Sequence, residues 1–274
     1  MMVMGTGRNR FSRGMAFLAL LVAGVMLTAA SALAEEQSLP VLRVAYTEFP
    51  PIEYRNAEGK ADGMVIELTR KVAREAGYEP EFIYLPVGRI YLYLRNGQVD
   101  VWPGLTGIPS LREDVLESWV SPVPVELNAW YVETTPPLTH FDDLRGRTVI
   151  VIGGYTYGVL LERLQEAGDI TITEAPNHRS GIDMLKRNRG DYLLDYLRPV
   201  QEILTHPSDR LIRNSKVRTR NSAWLFSLAS PRSSTLRDEF DDAYLRLAER
   251  GEVPPPRKIS KGFFIPGFPE DLQP

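Results

Sequence analysis

No cysteine occurs among the 274 residues of this chain. Disulfides, thiolate nucleophiles and thiolate metal sites are therefore excluded, and with them a lipid anchor on a processed N-terminal cysteine. Histidine is nearly as scarce. His140, His178 and His206 are widely separated, in settings that read as loops, and no two have the spacing of a metal pair. The chain also lacks the Gly-x-Ser-x-Gly nucleophile elbow and the Gly-x-Gly-x-x-Gly dinucleotide turn. Gly153 and Gly158 are not followed by Lys-Ser/Thr, so they do not make a nucleotide phosphate loop. Nothing repeats at a solenoid period, and nothing is low-complexity. These absences imply no metal and no cofactor, and they point away from the common catalytic classes.

The start of the chain reads as an export signal. Arg8, Arg10 and Arg13 form a positive leader, Ala16 to Ala30 is an uncharged apolar run, and Ala32-Leu33-Ala34 places small residues where a signal peptidase reads. Cleavage is expected between Ala34 and Glu35, giving a periplasmic protein. The competing reading is an uncleaved anchor, because Gly14 to Ala34 carries no charge over a length close to the ~20 residues of a spanning helix. The Ala-Leu-Ala site and the Glu35-Glu36 pair favour cleavage. Without residues 1–34 the chain has 29 basic and 35 acidic residues, a net charge of −6. A mildly acidic exported protein is a poor partner for nucleic acid.

Beyond the leader, short β-rich runs alternate with amphipathic helical runs. Strands are predicted over 42–46, 81–85 and 99–102, separated by a helix whose stripe is Val65, Leu68, Val72 and Ala76 and by a second helix over 89–96. Strand–helix–strand order implies parallel pairing with right-handed crossovers. A second unit of the same kind follows, with strands over 129–132, 148–152, 170–174 and 192–194 and helices over 157–167 and 180–188. A late strand over 223–228 and a helix capped by Ser234, with Leu236, Phe240, Tyr244 and Leu247 on one face, are left over. The Pro- and Phe-rich tail after Gly251 reads as an extended strap or a loose end.

Four segments, in order, carry a resemblance. They are Leu42-Arg43-Val44-Ala45-Tyr46 with Phe49-Pro50-Pro51-Ile52-Glu53 and Gly63 to Leu68; Gly97 to Trp102 with Arg112 and Trp119 to Pro122; Asp143 to Val149 running into Gly153-Gly154-Tyr155-Thr156; and Asn188-Arg189-Gly190-Asp191 with Asp195. From about Leu42 to Val253 the chain resembles the bacterial extracellular solute-binding proteins of family 3. That resemblance implies an α/β fold of the type II periplasmic binding class, with two lobes, two crossover strands and a cleft between them. Residues 40–126 and 221–274 would form lobe one and 127–220 lobe two. Hinge closure over a ligand follows from such a fold.

By the same resemblance, Phe49 would stack on the ligand; its bland alternative is a core ring. It precedes Pro50-Pro51 at the C-terminal edge of a strand, where ligands gather in α/β sheets. Arg112 would grip a ligand carboxylate with its planar guanidinium; alternatively it is a solvated arginine beside Glu113 and Asp114. Pro109 stands where the family usually has a threonine. Leu105, Thr106 and Gly107 would offer backbone groups. Gly154, Tyr155 and Thr156 would present free N–H groups at a helix start, or are simply a glycine turn. Asp195 would bind the ligand ammonium, although it is offset by one residue from the family position. Asp191 is expected to serve the turn or the interlobe structure. Trp102 reads as core, and Tyr192 and Tyr196 as either core or cleft.

The function expected is capture of an amino acid or related small polar carboxylate by a monomer, with delivery to an inner-membrane ABC permease. Alternatives are a ligand-sensing partner of a membrane receptor, and a periplasmic cyclic-carboxylate dehydratase of the same fold with Glu53 as general acid.

Overall fold

The computed structural model describes Met1 and residues 39–155, 157–256 and 262–263. The signal segment, Thr156 and the aromatic tail residues Phe264 and Phe268 lie outside the described residues. The chain divides into residues 1–39 and a compact unit over Pro40–Pro274, and all that follows concerns the second. No described helix is long and apolar enough to cross a membrane.

The first half of the sheet is built as expected. Strand β1 (Val41–Tyr46) lies between β4 (Glu79–Tyr84) and β5 (Val101–Leu105), parallel to both. Helices α1 (Met64–Glu75) and α2 (Val87–Arg95) make the crossovers. Short strands β2 (Tyr54–Arg55) and β3 (Ala61–Asp62) form a small hairpin just before α1. Val65 and Val72 of the predicted helical stripe are buried, while Leu68 and Ala76 pack partly buried against the same core.

The second half repeats the pattern. Strand β8 (Thr148–Ile152) pairs in parallel with β9 (Thr171–Ala175) and β10 (Tyr192–Tyr196), and β10 turns its other edge to the antiparallel β7 (Pro124–Val132). Helices α3 (Leu160–Glu166), α4 (His178–Lys186) and α5 (Leu197–Ile203) accompany them. An aspartate does the same job in each half. Asp100 accepts the Arg43 backbone N–H at 2.8 Å and its guanidinium at 2.7 and 3.0 Å. Asp191 accepts the Thr148 N–H at 2.8 Å and the Arg147 guanidinium at 3.3 Å. Each acid ties the end of a helix–strand turn to the neighbouring parallel strand, which is the turn role expected for Asp191.

The late strand is much longer than its apolar run. Strand β11 (Ile212–Ser227) has 16 residues. Its first part pairs antiparallel with β7, and its last part pairs antiparallel with β5 and with β6 (Val115–Glu117). Residues 212–222 are mostly charged or polar, with Ile212 and Val217 the only apolar ones, so they gave little hydrophobic signal as a strand. Arg218, Arg220 and Ser222 are nevertheless buried. Strand β12 (Gly262–Phe263) pairs with β11 at Arg218 and Thr219.

Helix α6 (Ser233–Glu249) buries the predicted stripe of Leu236, Phe240, Tyr244 and Leu247. Phe240 meets Trp224 and Phe226 edge-on, with ring centroids at 5.7 and 5.3 Å, so the last helix returns to the first half. Ser234 is not its cap, because the helix already begins at Ser233. The Ser233 hydroxyl is instead buried and donates to the Ser227 and Ser230 carbonyls.

Gly63 opens α1 with φ of 116°, and a Cβ there would stand 2.5 Å from the Ile52 carbonyl oxygen. Gly63→Ala combines left-handed strain with a backbone clash, and is expected to destabilise the protein by roughly 2–4 kcal/mol in urea unfolding. Gly59 also has positive φ, at 75°, but its Cβ would meet nothing within 4 Å. Gly59→Ala should therefore cost only about 1 kcal/mol. Equal losses for the two variants would refute the close-packing account of Gly63.

Candidate functional site

A cavity of about 60 Å³ opens where the two halves of the sheet meet. A buried water needs roughly 10–15 Å³ measured this way, so the space holds about four to six waters, or a small ligand. Its walls come from both halves: Phe49, Glu53 and Trp102 from the first, Tyr155 and Tyr196 from the second, and Arg220 from β11.

The first wall is built by the turn after β1. Phe49 and Glu53 face each other across an isolated β-bridge, with the Phe49 N–H donating to the Glu53 carbonyl at 2.7 Å. The Pro50-Pro51 bond between them is cis. The start of α1 clamps this turn, with the Val65 N–H donating to the Ile52 carbonyl at 2.9 Å. Both side chains thus emerge beyond the C-terminal end of a parallel strand. The end of β5 brings Trp102 and Leu105 beside them. Gly104 is required there, because a Cβ would lie 2.4 Å from the Trp102 ring.

Glu53 is the most unusual group in the cavity. Only 4% exposed, it receives the Trp102 indole N–H on Oε1 at a long 3.4 Å, and its Oε2 has no hydrogen-bond partner among the described residues. Burial pushes its pKa up to about 8, against the opposing hydrogen bonds from the Trp102 indole and the Thr47 backbone.

The second wall is aromatic. Tyr157 and Tyr196 stack with centroids 6.3 Å apart and planes at 7°. The Tyr157 hydroxyl accepts from the Ile152 N–H at 2.7 Å and donates to the Leu194 carbonyl at 3.0 Å, which pins its ring between β8 and β10. Tyr157 adopts φ of 52°, between Gly154 and Gly158, which are also left-handed. The predicted helix over 157–167 therefore starts three residues late, at Leu160. Phe49 reaches across from the first wall, with centroids 5.2 Å from Tyr196, 5.6 Å from His178 and 6.4 Å from Tyr155.

Behind this wall runs a buried polar chain. His178 Nδ1 lies 2.8 and 2.9 Å from the two Asp195 carboxylate oxygens, and its Nε2 lies 3.1 Å from the Tyr155 hydroxyl. Asp195 also accepts the Tyr196 N–H at 2.7 Å. Burial raises the Tyr155 pKa well above its usual range, and the nearby Asp195 adds to the rise.

Of the expected site residues, Phe49, Glu53, Leu105 and Tyr155 line the cavity. Thr106 and Gly107 do not. The Thr106 carbonyl accepts Arg220, while the exposed Gly107 donates its N–H to Glu117 at 2.7 Å. Gly154 is exposed in its turn and off the cavity, and Thr156 is outside the described residues. Asp195 is fully buried behind the wall with both oxygens engaged by His178, so it offers no free oxygen to a ligand ammonium.

Arg112 ends a 3-10 turn over Pro109–Leu111 in which Leu111 takes the inward position, fully buried, and leaves Arg112 exposed. The guanidinium lining the cavity belongs instead to Arg220, 4% exposed, which donates to the Thr106 carbonyl at 2.7 Å and bonds the Tyr196 hydroxyl. Among the described residues no acidic side chain pairs with it. Sequence reasoning missed Arg220 because it sits in the polar stretch of β11. The i, i+2, i+4 spacing of Arg218, Arg220 and Ser222 was the available signal, since it sets them on one face of a strand. His178 was also misjudged: it is a buried helix residue, not a loop one.

This arrangement, two α/β halves joined through long antiparallel strands and closing on a small cavity, is that of a type II periplasmic binding protein. The chain belongs to the bacterial extracellular solute-binding proteins, family 3, whose model matches residues 42–255. No match is found among curated proteins. Among solved structures, the chain is similar to a histidine kinase sensor domain with similarity to periplasmic binding proteins. That match has a TM-score of 0.68 and 20% identity, and covers 80% of this chain and 94% of that one. It is also similar to an ancestral arginine-binding protein bound to arginine, with a TM-score of 0.67, 19% identity and coverage of 77% and 94%. A third is the substrate-binding protein of an amino acid ABC transporter, with a TM-score of 0.62, 19% identity and coverage of 77% and 95%. At these identities the likeness concerns the fold.

Glu53 has a raised folded-state pKa, so its neutral form is the one the fold favours. Its contribution to stability is complete below the unfolded value near 4.5 and is lost as pH rises to about 8. The urea-unfolding free energy of the protein, relative to Glu53→Gln, is expected to fall by up to about 1.4 kcal/mol per pH unit across that window. A difference between the two proteins that does not change with pH would show that Glu53 is solvated.

Proposed function

We propose that the chain is a periplasmic binding protein that captures an amino acid or related small carboxylate by closing its two lobes, and performs no chemistry on it. The observation that carries this reading is a small cavity between the two halves, lined by one buried guanidinium, bonded to the Thr106 carbonyl, and one buried carboxyl, bonded to the Trp102 indole. Lobe one would comprise residues 40–126 and 221–274, and lobe two residues 127–220, with β7 and β11 as the crossover strands. Arg220 would take the ligand carboxylate, and Phe49 and Tyr155 would cover the ligand from opposite lobes. Micromolar capture needs about 8 kcal/mol net. One charge-assisted clamp, one further polar contact and burial against rings are of that order.

Release to an ABC permease is the leading downstream role, supported by similarity to the substrate-binding protein of an amino acid ABC transporter. Similarity to a histidine kinase sensor domain supports a second role, in which the closed form is read by a membrane receptor. Cleavage after Ala34 and life in the periplasm follow from the leader and accord with an extracellular family.

A melting-shift screen of amino acids and small organic acids tests the capture itself. For whichever carboxylate raises the melting point, Arg220→Ala is expected to weaken binding at least a hundredfold by calorimetry, Phe49→Ala about tenfold, and Arg112→Ala less than threefold. Loss of binding in Arg112→Ala with binding kept in Arg220→Ala would return the carboxylate clamp to Arg112.

A further inference from the structure

We propose that the ligand carries an amine that seats on Glu53 and an apolar, branched or aromatic body, so that this site selects against amino acids with polar side chains. The inference rests on the capture reading above and names the ligand class for the same cavity.

Two observations carry it. The first is the unsatisfied Glu53 Oε2, on a carboxyl that is buried and lines the cavity. Buried polar atoms are rarely left without a partner, and an orphan at a cavity wall marks where one belongs. Both protein groups that reach this carboxyl are donors, the Trp102 indole and the Thr47 backbone N–H. Donors favour the carboxylate over the neutral acid, so the missing partner is a cation that offsets the burial of that charge. An ammonium supplies both the charge and the hydrogen bond.

The second observation is how the remaining polar groups are used. Ser222 Oγ is already bonded to both the N–H and the carbonyl of Val123. The Tyr157 hydroxyl is bonded to Ile152 and Leu194, and that of Tyr155 to His178. The Tyr196 hydroxyl is held by Arg220. The rest of the lining is largely aliphatic, with Ile52, Val65, Val87, Ile108, Val123 and Val125 around the rings. Apart from the Thr47 and Tyr91 side chains, an amide, carboxylate or guanidinium on the ligand's side chain would meet groups already bonded within the protein or aliphatic wall, and would lose its water. A branched hydrocarbon body loses nothing.

Seating an ammonium also ejects the proton that Glu53 holds in the empty site. The other titratable or charged groups facing Glu53 are Tyr46, Tyr91, Tyr155 and, across the cavity, Arg220. Burial holds the Tyr46 and Tyr155 hydroxyls above their ordinary range, so between pH 6 and 7 the released proton comes from Glu53.

The experiment compares L-leucine, isopentylamine and 4-methylpentanoate, which keep one body while removing either charge, with L-arginine, L-glutamine and L-glutamate. It uses calorimetry on the purified protein at pH 6.5 in buffers of different ionisation enthalpy. L-leucine is expected to bind at least tenfold more tightly than any polar amino acid. Isopentylamine should bind with release of close to one proton, and Glu53→Gln should weaken both amine-bearing probes thirtyfold or more while leaving 4-methylpentanoate within threefold. Tighter binding of a polar amino acid, proton uptake on binding isopentylamine, or unchanged amine affinity in Glu53→Gln would each overturn the assignment. Binding of polar amino acids alone defeats this inference and leaves the capture reading standing. Binding of none of the six, with no hit in the wider melting-shift screen, defeats the capture reading itself.

Discussion

One strand has to belong to two sheets at once. With 16 residues, β11 spans about 50 Å when extended, and it changes partner along its length, from β7 in the second half to β5 and β6 in the first. Where the partners change, neither half closes over the strand completely, and the gap is the cavity. Arg220 and Ser222 lie at that change of partner, so strand alternation delivers their side chains to the space between the halves. The core of each half can be complete in itself because the joining strand carries polar residues at the junction and buried apolar ones on either side of it, Ile212 and Val217 in the second half and Ala223 to Phe226 in the first.

The parts of the fold that were legible in the sequence are those with a hydrophobic period. The stripe of α6, the parallel strands β1 and β8, and the β–α–β order all follow from apolar spacing, and they fall within a few residues of expectation. The beginning of β11 and helix α5 had no such signal. Arg218, Arg220 and Ser222 are buried by tertiary pairing rather than by their own apolarity, and α5 follows β10 without a break, with Pro199 inside its first turn. At the site, a resemblance pointed to a loop that does line the cavity, Phe49 to Glu53, because two prolines fix a turn at a strand end whatever the ligand. It did not point to Arg220. The position that a guanidinium occupies depends on how Leu111 packs, and Leu111 takes the inward place beside Arg112.

Asp195 illustrates how residue type and role separate. It is an acid, as an ammonium-binding residue would be, yet it lies behind the cavity wall with its carboxylate engaged by His178 and the Tyr196 N–H. What it delivers to the cavity is orientation. His178, held by Asp195, holds the Tyr155 hydroxyl, and that bond together with the pinned Tyr157 sets the angle of the rings that receive Phe49. A buried acid with all its oxygens satisfied rigidifies its surroundings, whereas one with an orphan oxygen, such as Glu53, is left with a partner to find.

The two walls therefore divide the work. The second half presents rings whose polar atoms are already bonded inside the protein, so it can gain from closing on a ligand only by burying apolar surface. The charges that can meet a ligand come from elsewhere: Glu53 from the first half and Arg220 from the shared strand. On the proposed capture reading, closure strength would depend on the size and apolarity of the ligand body, while acceptance of the ligand at all would depend on whether it satisfies those two charges. A ligand with the right charges and a polar body would dock on the first half and on β11 but close the lobes weakly, because among the described residues the face it meets is made of rings whose hydroxyls are already bonded within the protein. A partner that reads the closed form, whether permease or receptor, would discriminate against such a ligand without touching it.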